Sequence, residues 1–340
     1  MKRLIALLAV LLLGCVPVMA GACTSTSNVT TDFGTFSPQS VKQSAVPAQV
    51  SRAGLSCQPS VIVLLGINYI RAKFKSDNGL KLVQGANAIP YVASPDAAAT
   101  VAFTQNGTVD YMQNNLLNIL GLLGGSNADM PIYIKPSSGT LPPVGVYTDR
   151  ITITWDWYLC PGVNVAIICI GTPDYGIATT VIDVKLTVGP KTVQLTTSTG
   201  TTWDPVNGTL YPKSLPGGRR RMAVEVFNPD LVAVDTNTLG LNLAIPAKTS
   251  VALDGDGTAS SAFLLFTDGS PASSLAITYT SPSSSSDDVD FSSDNGATWT
   301  YVPVSGNDTS QAAVTNIRVR PRGAMAASSR FTLSVSLKVR

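Results

Sequence analysis

Apolar and polar positions alternate with a period of two through most of this chain, in short runs. Residues 150–158 carry the pattern most clearly. Ile151, Ile153, Trp155 and Trp157 fall on one side of an extended segment and Thr152, Thr154 and Asp156 on the other, as in a half-buried strand. Comparable runs cover residues 60–65, 69–75, 98–104, 132–135, 163–170 and 179–188. A second series covers residues 222–227, 241–245, 262–266, 276–280, 299–302, 313–319 and 331–339. Clusters of Gly, Pro, Asn and Ser separate the runs, so each series predicts a β-sandwich. Gly189-Pro190 lies between the two series, and the polar stretch 196–202 opens the second. One segment, residues 110–123, is a helix candidate, with apolar residues at Leu116, Leu117, Ile119, Leu120, Leu122 and Leu123. It predicts a short helix or collapsed loop over one end of the first sandwich.

The first residues change the picture of where this chain works. Lys2 and Arg3 precede an apolar run from Leu4 to Leu13, and Val18-Met19-Ala20 supplies small residues for cleavage, the pattern of an export leader over residues 1–20. A rival reading takes Leu12-Leu13-Gly14-Cys15 as a lipid-attachment motif, with a lipid anchor at Cys15. No later uncharged run reaches the ~20 residues of a membrane helix. Two domains are expected after the leader, residues 21–190 and 191–340.

Apart from Cys15, the cysteines are Cys23, Cys57, Cys160 and Cys169, an even set in an exported chain, and disulfides are expected. Of the three possible connectivities, the favoured one joins Cys23 to Cys57 and Cys160 to Cys169, because Cys160-Pro161-Gly162 and the strand after it can fold back as a hairpin. Charged residues make up 13% of the chain and the net charge is +2, which argues against a nucleic-acid binder. There is no histidine, which closes Ser-His-Asp and Cys-His catalysis. No enzyme, cofactor or metal site is expected.

Three constellations have both a chemical and a structural reading. Asp254-Gly255-Asp256-Gly257 offers carboxylates for calcium, and a solvated tight turn is the favoured reading. Arg219-Arg220-Arg221 offers a grip on phosphate or acidic polysaccharide, and a solvated edge strand is favoured. Trp155, Trp157 and Tyr158 suggest sugar stacking, against a reading in which one tryptophan is core and the other a boundary residue.

The turn Gly145-Val146-Tyr147-Thr148-Asp149 opens directly into the strand that carries Trp155. Upstream, Cys23 is followed by Asp32-Phe33-Gly34-Thr35-Phe36-Ser37-Pro38, and Cys57 sits beside an apolar run. These features resemble the spore coat protein U family, which includes subunits of archaic, Csu-type chaperone/usher pili, over roughly residues 23–187. The resemblance implies an immunoglobulin-like sandwich lacking its last strand, with the gap filled by β-strand addition from a neighbour. It also implies a periplasmic chaperone, an outer-membrane usher and neighbouring pilus subunits as partners. After leader cleavage only Gly21 and Ala22 precede Cys23, too few to donate a strand. The chain adds residues 163–170 and 179–188 after the Trp155 strand, and residues 179–188 are expected to fill the groove from within.

The second half resembles repeat domains of bacterial surface proteins. Its Ser292-Ser293-Asp294-Asn295-Gly296-Ala297-Thr298-Trp299 matches the Asp-box hairpin, in which Asp294 and Gly296 close the turn and Trp299 packs beneath it. The expectation is therefore an all-β, exported, non-enzymatic surface protein of two tandem immunoglobulin-like sandwiches, acting as a pilus subunit, adhesin or coat component. The alternative is a free-standing carbohydrate-binding or recognition module.

Overall fold

The computed structural model describes residues 23–57, 68–113, 128–137, 139–160, 163–165, 168–170, 172–259 and 262–340. The leader, Cys15, the predicted strand 60–65 and most of the predicted helix 110–123 lie outside the described residues. The chain divides into two compact units, Met1–Val188 and Gly189–Arg340, and the regular secondary structure of the described residues is almost entirely strand.

The first unit contains β1 (Cys23–Ser25), β2 (Asn28–Phe36), the short helix α1 (Pro38–Lys42), β3 (Gln49–Cys57), β4 (Tyr69–Ser76), β5 (Lys81–Gln84) and β6 (Asn87–Ser94). It continues with β7 (Thr108–Asp110), β8 (Ala128–Pro136), β9 (Gly145–Leu159), β10 (Val163–Val165), β11 (Ile168–Ile170) and β12 (Asp174–Val188). One layer runs β1-β3-β8-β6. The other is centred on β9, with β12 along one side, β4 and β5 along the other, and β2 outside β12. Because β6 pairs with both β5 and β8, it carries the chain from one layer to the other.

Alternation along β9 sends Tyr147, Ile151, Ile153 and Trp155 into the core beside Phe33, Leu55, Phe74 and Ile134. The Trp155 indole N–H donates to the Ala53 carbonyl at 3.0 Å and ties the layers together. The same buried ring meets Tyr111 at 5.5 Å between centroids.

Several predicted elements move. Residues 98–104 form no strand, because the Asp96 carboxylate accepts from the Thr100 backbone N–H and hydroxyl and curls the segment into a turn. The strands missed around them, β2, β3 and β6, carry Gly, Pro, Ser and Arg in place of an unbroken β-branched run. Residues 163–170 are two short strands of a hairpin. Of the predicted helix, Asp110 ends β7 and residues 111–113 turn.

Gly54 shows why β3 escapes pattern reading. It sits where the β3–β8 register shifts, with φ +81°, and a Cβ there would run into the Thr180 side chain of β12. Gly54→Ala is expected to destabilise the first unit by about 2–3 kcal/mol through strained backbone and overpacking. Chemical denaturation would measure this, and an unchanged midpoint would refute it.

The second unit contains β13 (Gln194–Trp203), β14 (Arg219–Phe227), β15 (Leu241–Ala244), β16 (Thr249–Val251), β17 (Leu264–Asp268), β18 (Val289–Ser292), the short helix α2 (Asp308–Ala312), β19 (Asn316–Val319) and β20 (Arg330–Val339). One sheet runs β13-β14-β20-β16, with β17 also on β20, and the other runs β15-β19-β18. Val224, Val226, Phe291, Ile317, Val319, Leu333 and Val335 fill the space between them.

The polar stretch 196–202 is an edge strand, β13, paired among the described residues with β14 alone. That makes β14 an interior strand, which corrects the reading of Arg219–Arg221 as a sheet edge. Residues 276–280 hold a single bridge, Ala276 to Arg322. Carboxylates take the place of a neighbouring strand there: Asp288 accepts from Thr278 N–H at 2.7 Å and Asp287 from Thr280 N–H at 2.9 Å. Residues 299–302 are likewise held by one bridge, Tyr301 to Phe291.

Candidate functional site

The feature that defines the first unit is β12, the last strand of its sandwich. It pairs antiparallel with β9 along its whole length, from Asp174 opposite Leu159 to Val188 opposite Gly145. On its other side it pairs parallel with β2, from Val181 opposite Asn28 to Val188 opposite Phe36. Ile182, Val184, Leu186 and Val188 point into the core and are buried. On the solvent face, Lys185 meets Asp32 at 3.0 Å and Arg150 meets Asp183 at 2.8 Å. The Thr180 hydroxyl donates to the Thr26 carbonyl at 2.9 Å, and Cys23 N–H donates to Asp174 at 2.9 Å. Strand β12 is thus tied to the opening segment of the unit, through β2 at the backbone and through Cys23, Thr26 and Asp32 at the side-chain level.

Cys23 and Cys57 lie directly opposite each other in the β1–β3 pair and are bonded, as are Cys160 and Cys169 across the β10–β11 hairpin. Gly145, Tyr147 and Asp149 start β9. The Tyr147 hydroxyl donates back to the Pro143 carbonyl at 2.9 Å. Buried Asp149 accepts from Ser76 Oγ and Tyr91 Oη, each at 2.6 Å, and from Asn78 N–H at 3.1 Å. Burial, reinforced by the bond to Asp149, pushes the Tyr91 phenol far above its ordinary range, so it stays a donor. Asp149 is a fully engaged structural acceptor at the head of the strand.

In the second unit the Asp-box residues form one closed turn. Asp294 accepts from Ser292 Oγ at 2.6 Å, Thr298 N–H at 2.9 Å and Thr298 Oγ1 at 2.7 Å. Those bonds pull its carboxyl down to about 2. Gly296 has φ +82°, and Trp299 lies beside it under the Arg318 guanidinium, 4.8 Å from the ring centroid.

The aspartates offered for calcium are held by the arginines offered for polyanions. Arg219 grips Asp254 through two bonds at 2.7 and 2.8 Å, and Arg221 meets buried Asp256 at 2.6 Å. Nothing local in the sequence joins the two groups; their partnership depends on β14 and the 254–256 turn meeting in space. Among the described residues no three metal-ligating side chains cluster. Both Trp155 and Trp157 are buried, so neither is an exposed sugar platform.

Burial raises the Asp256 carboxyl, but bonds from Thr258 and Arg221 outweigh it and leave it below its ordinary value. Asp96 and Asp268 are lowered in the same way, their burial outweighed by bonds from Thr100 and Ser273. A folded value below the unfolded ~3.9 means that stability is present above about pH 4 and is lost as pH falls through the folded values. The melting temperature is therefore expected to be level near neutrality and to drop steadily between about pH 4 and pH 2. A calorimetric pH series checks this, and a midpoint that rises on acidification would contradict it.

The strand order, the buried strand pairs and the two disulfides describe a disulfide-locked, all-β sandwich built for stability outside a reducing compartment. Residues 9–154, all within the first unit, match the family described as Spore Coat Protein U domain. The match ends inside β9, so β12 follows it. Among solved structures, the CsuC–CsuE chaperone–tip adhesion subunit pre-assembly complex from archaic chaperone-usher Csu pili of Acinetobacter baumannii aligns at 14% identity and TM-score 0.41, over 93% of this chain and 100% of that chain. The E. coli chaperone DraB aligns at 10% identity and TM-score 0.19, over 67% of this chain and 77% of its own. A putative membrane anchored protein from Corynebacterium diphtheriae aligns at 8% identity and TM-score 0.21, over 94% of this chain and 51% of that chain. No curated protein matches the chain. Among the described residues no helix is long and apolar enough to cross a membrane.

Proposed function

We propose that this protein is an exported, non-enzymatic structural subunit of a cell-surface pilus or coat, and that its first domain needs no strand from a neighbour. The family match supports the class of role. The observation that carries the rest is β12, which occupies the last-strand position between β9 and β2 from within the same chain. In the pilins that the sequence resembles, a donated strand closes this gap. Here backbone pairing and the side-chain pockets for Ile182, Val184 and Leu186 are already taken.

A subunit with a closed first domain can end or decorate an assembly, because no donor strand has a groove to enter there. Periplasmic chaperone and usher partners then engage some other surface, and an adhesin role at a fibre end fits the same geometry.

The test is to express residues 21–340 in an oxidising periplasm without partner proteins. A soluble monomer that takes up no synthetic β12 peptide is expected. Aggregation relieved by a pilus chaperone or a donor peptide would overturn the closed-domain reading. Shearing of producing cells is expected to release the protein with surface fibres or coat; its recovery only as a free culture-medium protein would overturn the structural role. The second reading, a recognition module, has one observation in its favour: a row of three tyrosines on the outer face of the first unit, two half-buried and one exposed.

A further inference from the structure

On the solvent face of the first unit, three tyrosines stand on one rung of three adjacent strands. Tyr69 of β4 is opposite Tyr158 of β9, which is opposite Tyr175 of β12. The Tyr69 and Tyr158 rings are 6.2 Å apart and inclined by 25°, and Tyr158 and Tyr175 are 6.4 Å apart and inclined by 21°. Near-parallel phenols thus run across the sheet. Tyr175 is 70% exposed, and Ile177, one outward position along β12, is 76% exposed. A row of this kind on a monomer's surface signals a contact site more than chance exposure does.

The floor of the row is also built. Gly176 lies opposite Trp157, and a Cβ at Gly176 would meet the indole, so glycine lets the ring lie against the strand. The Trp157 indole N–H is buried and has no hydrogen-bond partner among the described residues, an uncompensated polar group at the edge of a shallow groove of about 260 Å³. Asp156 lines the same groove. It accepts from the Tyr69 hydroxyl at 3.3 Å and enters no ion pair among the described residues. The Arg71 guanidinium lies 4.1 Å from the Tyr69 ring centroid and pairs with Asp110, which rigidifies that end.

We propose that this row is a binding platform for an uncharged polysaccharide. Pyranose rings present flat C–H faces that stack on phenols, and their hydroxyls donate to a carboxylate without bringing charge. Both demands are met side by side here. Arg71, opposite Asp156 in the β4–β9 pair, is held over the Tyr69 ring and paired with Asp110, so a protein partner that brings no cation of its own would bury Asp156 unpaired beside apolar surface, which is costly. An acidic polysaccharide would be repelled by the same carboxylate. The site goes beyond the structural role proposed above and uses none of Ile182, Val184, Leu186 and Val188, the side chains by which β12 fills the core.

The test is affinity electrophoresis of residues 21–340 through gels containing hydroxyethylcellulose or alginate, with calorimetric titration of cello-oligosaccharides and chito-oligosaccharides. Retardation in the neutral gel and heat with at least one neutral oligosaccharide are expected. Tyr175→Ala and Tyr158→Ala should each weaken binding about ten-fold or more, while Tyr175→Phe keeps it. Thermal unfolding of each variant checks the fold, and Tyr175→Ala, at the most exposed position of the row, carries the result if Tyr158→Ala is unstable. No binding to either neutral oligosaccharide, unchanged binding in Tyr175→Ala, or preference for alginate would each overturn the proposal.

Discussion

Ile182→Asp is expected to leave the protein insoluble on its own, and a peptide of residues 174–188 supplied in trans is expected to recover soluble protein. Ile182 is fully buried in the middle of β12, opposite Ile151 of β9. A carboxylate there has no partner, and buried unpaired charges belong to the class of substitutions that costs about 4–5 kcal/mol or more. Set against the ~5–15 kcal/mol that holds a typical domain together, the loss is enough to eject the strand. Ejection exposes the β9 and β2 edges together with the apolar pocket between them, a template for aggregation. The added peptide brings the wild-type strand back as a separate chain. Solubility, near-ultraviolet dichroism of the tryptophan-containing core and peptide uptake are the readouts. If the variant stays monomeric with native dichroism and takes up no peptide, β12 is not what closes the unit.

Replacing both Cys23 and Cys57 by Ser should lower the stability of the first unit by about 4 kcal/mol, while the second unit, which has no cysteine, melts as before. The estimate follows from loop closure. The bond spans 34 residues, and removing it returns that conformational freedom to the unfolded chain. The Cys160–Cys169 bond closes only 9 residues and is expected to contribute less, about 3 kcal/mol. Calorimetry with and without a thiol reductant should reproduce the same ordering in the unmodified chain. A downward shift of the second unit's transition in place of the first would refute the assignment.

Long strands with strict alternation could be read from sequence. Strand β9 declares its buried face through Ile151, Ile153 and Trp155, and the second half of β12 is a β-branched run with few alternatives. The cysteines were legible because their number was even and their neighbours were strand-like. What escaped reading was decided by partners distant in sequence. Nothing local says that Arg221 will meet Asp256, or that Asp287 and Asp288 will stand in for a neighbouring strand. The stretch 196–202 carries no strand signal because an edge strand with little core to cover needs few apolar residues. The tyrosine row was equally hidden: Tyr69, Tyr158 and Tyr175 are unremarkable singly, and only strand register brings them to one rung.

The parallel pairing of β12 with β2 also sets the order in which the unit can form. Lys185 meets Asp32 across 153 residues of chain, and Thr180 meets Thr26 across 154. During synthesis or passage through a membrane pore, β2 emerges early and waits for a partner that emerges last. Its own hydrogen-bonding edge stays open for that interval. The Cys23–Cys57 bond lies wholly within the early segment, so an oxidising environment can pin β1 against β3 before β12 arrives. Closure of the sandwich is then a late, non-local event, slow by its topology, and the period before it is when the nascent chain most needs protection from its own copies.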